Sequence, residues 1–230
     1  DDDFLEIDSL IKGSEFLNNN LDYVSVTGEF LFFLKPYDNL FYKNKKKSFE
    51  SIVSKDPFER ASIFFDNYFQ ILWGIYRLDI LKKSFEVINA NKPKNDNFIE
   101  LTLGSILCFH GKIHYSNDIW GFREVNLKNS WGLRHKPINF INFIFDCKLK
   151  SQVKLFENYI DKYSSKGFGR TIIKSYLNLN FKNQAYLFIK RIFSYFLFII
   201  LRYSAKDRFL YYQSERNSSS INPKIHGLIK

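Results

Sequence analysis

The order of apolar and polar positions along the chain predicts helices that alternate with strands. Apolar residues at helical spacing across residues 10–17 predict a first helix, and three asparagines predict the turn that ends it. Residues 23–33 are rich in aromatic and β-branched side chains, which predicts a strand. Asp56 followed by Pro57 predicts the start of the next helix, because Asp caps helices well and Pro suits the first helical position.

The middle of the chain continues this alternation. Residues 71–76 predict a strand and residues 78–88 predict a helix. Apolar positions within 99–107 predict a further helix, which Gly111 ends. Residues 112–115 predict a short strand, and we expect a loop after it.

The C-terminal part of the chain is expected to be helical. Apolar residues at helical spacing occupy residues 138–160, and residues 186–203 are almost continuously apolar. The uncharged stretch within the latter, 192–201, is short, because a helix that crosses a membrane needs roughly 20 apolar residues. We therefore divide the chain into residues 1–135 and a basic, mostly helical extension, residues 136–230.

Composition limits the class of protein. Of the 230 residues, 45% are hydrophobic, which is enough to build the core of one domain. The two cysteines, Cys108 and Cys147, provide no disulfide framework and suit a reducing compartment. His110 and His114 lack the partner cysteines and the spacing of a zinc site. The chain contains no Met and does not open with a signal-peptide pattern, so we expect it to be a piece of a longer protein.

The net charge of +10 is unevenly distributed. Residues 1–34 carry eight acids and one lysine, whereas residues 136–230 carry seventeen bases and five acids. This asymmetry indicates a metal as the partner of one end and an anionic surface as the partner of the other. The high pI alone does not indicate nucleic-acid binding, because no zinc-finger or RNA-recognition motif accompanies it.

Three adjacent carboxylates, Asp1, Asp2 and Asp3, open the chain and precede Phe4. Like charges this close repel each other, and a divalent cation between them would relieve the repulsion. Hard cations such as Mg²⁺ and Mn²⁺ prefer carboxylate oxygens. An acidic terminus with no ligand is the alternative interpretation.

The acidic cluster, the helix after it and the sequence DYVSVTG at residues 22–28 resemble glycosyltransferases of the GT-A fold, whose DxD motif binds a metal and a nucleotide diphosphate. More narrowly, they resemble a group of bacterial enzymes related to glycosyltransferase family 2. The resemblance covers roughly residues 1–125. Its further elements follow in order: Asp56-Pro57-x-Glu59-Arg60, Ile75-Tyr76-Arg77, Glu100-Leu101 with Gly111 after it, and Arg123-Glu124.

The resemblance implies a fold and a domain assignment. Residues 1–135 would be the C-terminal half of a GT-A catalytic domain, and its N-terminal nucleotide-binding half would lie upstream of Asp1. Residues 136–230 would be a helical C-terminal extension.

The resemblance also implies an activity, which is metal-dependent transfer of a sugar from a nucleotide-diphosphate donor to an acceptor hydroxyl, with inversion, in the synthesis of a surface glycan or polysaccharide. Asp1 and Asp3 would hold Mn²⁺ or Mg²⁺, and Asp2 would contact the ribose or shape the turn. Arg77 and Arg123 would bind the donor phosphates. A structural ion pair is the alternative role for either arginine.

The acceptor hydroxyl must lose a proton to a base, and a carboxylate at the start of a helix can accept it. Glu100 is the predicted base, and Asp96 is the second candidate. The alternative role for Glu100 is that of a first-turn carboxylate favoured by the helix dipole. Trp73 and Trp120 are candidates to stack on an acceptor sugar, with membership of the core as the alternative.

Residues 186–203 are expected to form an amphipathic helix on an anionic membrane surface, at the cytoplasmic face of the inner membrane, where a lipid-linked acceptor would be found. A helix buried in the core is the alternative. A second class of function is also compatible with this segment, which is that of a non-catalytic membrane-surface or assembly protein.

Overall fold

The computed structural model describes residues 3–34, 41–43, 49–69, 71–93, 95–124 and 138–201. Within them lies a mixed sheet, whose strands are β1 (Asp3–Leu5), β2 (Tyr23–Leu34), β3 (Phe41–Lys43), β4 (Gly74–Tyr76) and β5 (Lys112–Glu124). β2 and β5 are parallel neighbours, and β1 pairs antiparallel with β5. β3 and β4 both pair antiparallel with β2, near its C-terminal and N-terminal ends respectively.

Seven helices are found in the described part of the chain: α1 (Ile7–Asn19), α2 (Pro57–Asn67), α3 (Leu78–Asn91), α4 (Asn97–His110), α5 (Phe140–Phe145), α6 (Cys147–Tyr163) and α7 (Phe168–Leu201). Together with the sheet they confirm the predicted α/β class. α2 begins where the sequence predicts, since the Asp56 carboxylate accepts a hydrogen bond from the N–H of Phe58 and Pro57 is the first helical residue.

β5 is much longer than the sequence predicts, because it continues through the expected loop to Glu124. Ser116 and Asp118 form the local hydrogen bonds typical of turns, with the Asp118 N–H donating to the Ser116 hydroxyl. The strand nevertheless continues, since it pairs with β2 on one side and with β1 on the other. The parallel register shifts between Thr27 and Glu29, which accommodates the irregular stretch. Long-range pairing therefore outweighs the local preference for a turn.

α4 is buried along almost its whole length. Eleven of its fourteen residues are buried, so its apolar positions are not confined to one face. α2, α3 and α6 pack around it, and it also contacts β2 and β5. The helix is therefore the centre around which the other elements of the core are arranged.

The core extends into the C-terminal helices. Phe156 of α6 and Tyr176 of α7 belong to the same buried cluster as Phe65 of α2, and both of their rings contact the Phe65 ring. By its contacts the chain divides into one compact unit that ends at Phe181 and a second that begins at Lys182, whereas the sequence suggested a division between residues 135 and 136. The sequence division followed the change in charge, but α6 and the N-terminal part of α7 place apolar residues in the core, while the basic residues of these two segments stay exposed.

The described part of the second unit, residues 182–201, is the C-terminal part of α7. Most of the segment 186–203 is thus helical, as predicted, and residues 202 and 203 lie outside the described residues. None of the helices in the described ranges combines the length and the apolar character needed to cross a bilayer.

Gly104 lets α2 approach α4 closely, and this contact generates a prediction. A Cβ at position 104 would lie 2.3 Å from the ring of Phe64, which is fully buried. Ala favours a helix over Gly by about 1 kcal/mol, but this overlap should cost about 3 kcal/mol. We expect Gly104→Ala to lower the free energy of unfolding by about 2 kcal/mol in urea denaturation.

The matched control is Ser14→Ala, at an exposed position of α1, which should raise the free energy of unfolding by about 0.5 kcal/mol. A gain of stability at position 104 would show that α2 and α4 are not in close contact there.

Candidate functional site

The structure brings two of the predicted site residues together on neighbouring strands. Asp3 begins β1 and lies directly opposite Arg123 of β5 in the antiparallel register. Residues opposite each other in such a pair have Cα atoms about 4.5–5.5 Å apart. Asp1 and Asp2 lie outside the described residues.

This pair lies near the last described residues of two parallel strands. Arg123 and Glu124 are the last residues of β5, and they pair with Phe32 and Phe33 near the end of β2. In open α/β sheets, ligands bind outside the carboxyl ends of the parallel strands. We name Asp3, Arg123 and Glu124 the carboxyl edge. In GT-A enzymes the DxD motif ends a strand, and in this chain Asp3 is the first described residue of β1.

Arg77 is not part of the carboxyl edge. Its guanidinium donates to three backbone carbonyls around the end of α1, namely Leu17 at 2.6 Å, Tyr23 at 2.8 Å and Asn20 at 3.1 Å. Tyr23 begins β2, and Phe32 lies nine residues further on, which is roughly 30 Å along a strand. Arg77 therefore fastens the turn between α1 and β2, and it cannot reach a phosphate held at the carboxyl edge.

Glu100, the predicted base, is a buried residue with a structural partner. Only 2% of its surface is exposed, and its carboxylate accepts a hydrogen bond of 3.0 Å from the N–H of Ile71. The hydroxyl of Tyr76 donates to the carbonyl oxygen of the same Ile71. Both polar groups of the Ile71 backbone are thus satisfied in the interior, which fixes the segment between α2 and β4 against α4.

Three tyrosines surround this carboxylate. Burial is the main cause that raises the pKa of Tyr68 and Tyr76, and the negative charge of Glu100 raises both further. Tyr68 also forms a side-chain hydrogen bond with Glu100. Burial raises the pKa of Tyr176 to about 12. All three phenols therefore stay protonated over the physiological pH range and can donate hydrogen bonds.

Asp96, the second candidate base, is more accessible than Glu100. It is half-buried and immediately precedes α4, one helical turn before Glu100. Its backbone carbonyl accepts the N–H groups of Ile99 and Glu100, but its side chain does not cap the helix. The side chain of Asn95 instead accepts the N–H of Asn97.

Arg60, which belongs to the second element of the resemblance, is a structural residue that the sequence did not single out. It is 6% exposed, and burial lowers the pKa of its guanidinium. The guanidinium donates to the carbonyls of Cys108, Ser54 and Lys55, at 2.7, 2.7 and 2.9 Å. It joins the end of α4 to the segment before α2. The positions that carry the resemblance are therefore in part positions that hold the fold together.

Trp120 belongs to the core, as the alternative interpretation held. It is 1% exposed and packs with Leu17 and Val26. A Cβ at Gly28 would lie 1.8 Å from its indole ring, so a larger residue at position 28 would displace the ring. Trp73 is half-buried beside Phe30. A buried indole such as that of Trp120 cannot stack on a sugar.

Ser51 and His114 form a contact that the sequence did not suggest. The Ser51 hydroxyl lies 3.1 Å from Nδ1 of His114 and accepts the N–H of Tyr115 at 3.0 Å. The imidazole stacks on Phe16, and burial lowers its pKa. The pair flanks the isolated bridge between Ile52 and Ile113, so it joins the segment before α2 to the start of β5. No local signal could reveal it, because its members are far apart in sequence.

A groove of about 640 Å³ lies between residues 49–54 and α2. Its lining combines Phe49 and Phe69 with polar side chains such as those of Glu50, Glu59 and Asn67. The groove lies beside the start of β5, roughly 30 Å along the strand from the carboxyl edge. Among the described residues there is also no group of three or more His, Cys, Asp or Glu side chains that could hold a metal ion.

No protein-family model, curated protein or solved structure matches this chain.

The role of Arg77 can be tested by its removal. Arg77→Gln takes away charged hydrogen bonds to carbonyls that the fold leaves partly buried, so we expect the free energy of unfolding to fall by about 3 kcal/mol in urea denaturation. Arg170→Gln is the control, because the Arg170 side chain is 80% exposed and lies 3.8 Å from Glu157. That change should cost less than about 0.5 kcal/mol. Equal effects of the two changes would contradict the structural role of Arg77.

Proposed function

We propose that the chain is the C-terminal half of the catalytic domain of a GT-A-type glycosyltransferase, which transfers a sugar from a nucleotide-diphosphate donor to an acceptor hydroxyl with inversion. The observation that supports this most directly is the position of Asp3, opposite Arg123 at the carboxyl edge. Asp3 and Arg123 are register partners near the last described residues of β2 and β5, and α/β sheets bind their ligands outside the carboxyl ends of parallel strands. In this proposal the product is a surface glycan or polysaccharide.

The residues at this edge suit the chemistry of the leaving group. Negative charge grows on the diphosphate as the bond to the sugar breaks, and Arg123 would stabilise it. Asp1 and Asp3 supply hard carboxylate oxygens, which fit Mg²⁺ or Mn²⁺, with phosphate and water completing the coordination. When bound, the cation would neutralise the leaving phosphate. Asp2 would contact the ribose or shape the turn.

The acceptor proton is proposed to go to a carboxylate at the start of α4. Glu100 is the predicted base, but its contacts with Ile71 and Tyr68 already use the carboxylate inside the core. Asp96 lies one turn earlier and is half-buried, so an acceptor could reach it without unpacking α4. We therefore propose Asp96 ahead of Glu100 for this step, on the ground of its greater exposure.

A lipid-linked acceptor would place the reaction at the cytoplasmic face of the inner membrane. The basic composition of residues 136–230 supports this location. A non-catalytic role in membrane-surface assembly is the second candidate, and it is favoured by the exposed apolar residues of α7. The two candidates differ in whether sugar transfer occurs at all.

The metal site is tested with Asp3→Asn in the complete gene product. We expect Mn²⁺-dependent binding of UDP or GDP, followed by calorimetry, to be lost, because an amide cannot replace the anionic ligand. Asp66→Asn, at an exposed position of α2, is the control and should bind as the parent does. Full transfer activity in the presence of EDTA would rule out the proposed metal.

The base is tested with Asp96→Asn and Glu100→Gln in parallel. We expect Asp96→Asn to lower the transfer rate by about 10²–10⁴-fold while its unfolding midpoint and donor binding stay unchanged. Glu100→Gln keeps an acceptor oxygen but loses its charge, and it should lower the free energy of unfolding by about 1–2 kcal/mol. Glu100→Ala should lower it by about 3 kcal/mol, because the Ile71 N–H then loses its acceptor.

Glu86→Gln on the exposed face of α3 is the control for both measurements. A large loss of transfer in Glu100→Gln at unchanged stability would return the role of base to Glu100.

A further inference from the structure

The C-terminal part of α7 has a surface that nothing in the chain's described core explains. Six large apolar side chains there are 52–65% exposed: Tyr186, Leu187, Phe188, Ile189, Ile192 and Phe193. Four of them are consecutive, and successive residues of a helix point about 100° apart, so the exposed apolar side chains point in several directions around the helix. We name these six residues the α7 apolar segment.

The first half of the same helix shows what a packed segment looks like. Ile172, Ile173, Tyr176 and Leu177 are at most 2% exposed and form one buried face. Their spacing of i, i+1, i+4 and i+5 recurs further along the helix. The four residues at the repeated positions are exposed instead, and they are Phe188, Ile189, Ile192 and Phe193. The same apolar pattern therefore occurs twice along α7. Its first occurrence is buried, and its second occurrence is exposed.

The charge of this helix is of one sign. α7 carries Arg170, Lys174, Lys182, Lys190 and Arg191 and not one acidic residue. The acid-free stretch extends from Lys162 to Lys206 and contains nine basic residues. Any partner of the α7 apolar segment must therefore offer both apolar material and negative charge.

We infer that the α7 apolar segment docks on the surface of a bilayer that contains anionic lipids. The apolar side chains would enter the interfacial region of the bilayer, and the long side chains of Lys182 and Lys190 would extend to the anionic headgroups. A second copy of the chain fits less well, because two acid-free basic helices would repel each other.

The inference goes beyond sugar transfer, because adsorption needs neither donor nor metal. It is tested by sedimentation of the complete gene product with vesicles of phosphatidylcholine, alone or mixed with phosphatidylglycerol. We expect binding only to the anionic vesicles, and a decrease of binding as salt is raised.

Two double variants separate the apolar and charged contributions. Ile189→Gln with Phe193→Gln, and Lys182→Glu with Lys190→Glu, should each weaken vesicle binding at least about tenfold. The controls change equally exposed residues elsewhere, namely Leu21→Gln, which replaces a residue that is 80% exposed, and Lys12→Glu with Lys55→Glu. They should bind vesicles as the parent does.

Each contrary result would overturn the inference. Equal binding to neutral vesicles, or none to anionic vesicles at low salt, excludes an anionic bilayer as the partner. Concentration-dependent association in ultracentrifugation that the Gln variant abolishes would assign the segment to a second copy of the chain. A lower thermal unfolding midpoint in the variant Ile189→Gln with Phe193→Gln would assign the α7 apolar segment to the core. Asp3→Asn should still bind vesicles, so failure of the proposed catalytic site and failure of this inference are distinguishable.

Discussion

The parallel pairing of β2 with β5 is the constraint on which the rest of the fold depends. Parallel neighbours cannot be joined by a tight turn, so the chain must cross from the end of one strand to the start of the other. α2, β4, α3 and α4 are found in that crossover. α4 leads directly into β5 through Gly111, where a Cβ would lie 2.5 Å from the side chain of Val24. The buried helix is thus held against the strands that it connects.

Charged residues stabilise this crossover through the backbone more than through ion pairs. Arg60 and Arg77 donate to carbonyls, and Glu100 accepts from an N–H. Each joins segments that are far apart in sequence and satisfies backbone groups that would otherwise be costly to bury. A sequence alone does not distinguish these structural Arg and Glu residues from catalytic or phosphate-binding ones, because the structural role and the functional role both favour partly buried Arg and Glu.

The sequence predicted those elements whose signals are local. Asp56 and Pro57 begin α2 as expected, and the apolar spacing located α4. The length of β5 could not be predicted, because its polar residues Ser116 and Asp118 favour a turn and only pairing with distant strands overrides them. The structural role of Arg77 was missed for the same reason, because the carbonyl groups that accept its hydrogen bonds are distant in sequence. The carbonyl of Leu17, for example, lies sixty residues before Arg77. Of the candidate site, Asp3 and Arg123 are register partners whose roles stay predictions, whereas Arg77 is separated from them by the length of β2.

The order of the strands in the chain also determines what the ribosome exposes. β2 leaves the exit tunnel well before β5, because residues 35–111 must be made between them. At about 5–20 residues per second this interval is roughly 4–15 s. β3 and β4 are synthesised early enough to cover one side of β2, but the side that β5 will occupy remains unpaired throughout. A long strand rich in Phe with an open edge is prone to pair with other chains. The fold therefore leaves one edge of β2 unpaired in the nascent chain until α4 and β5 have been completed.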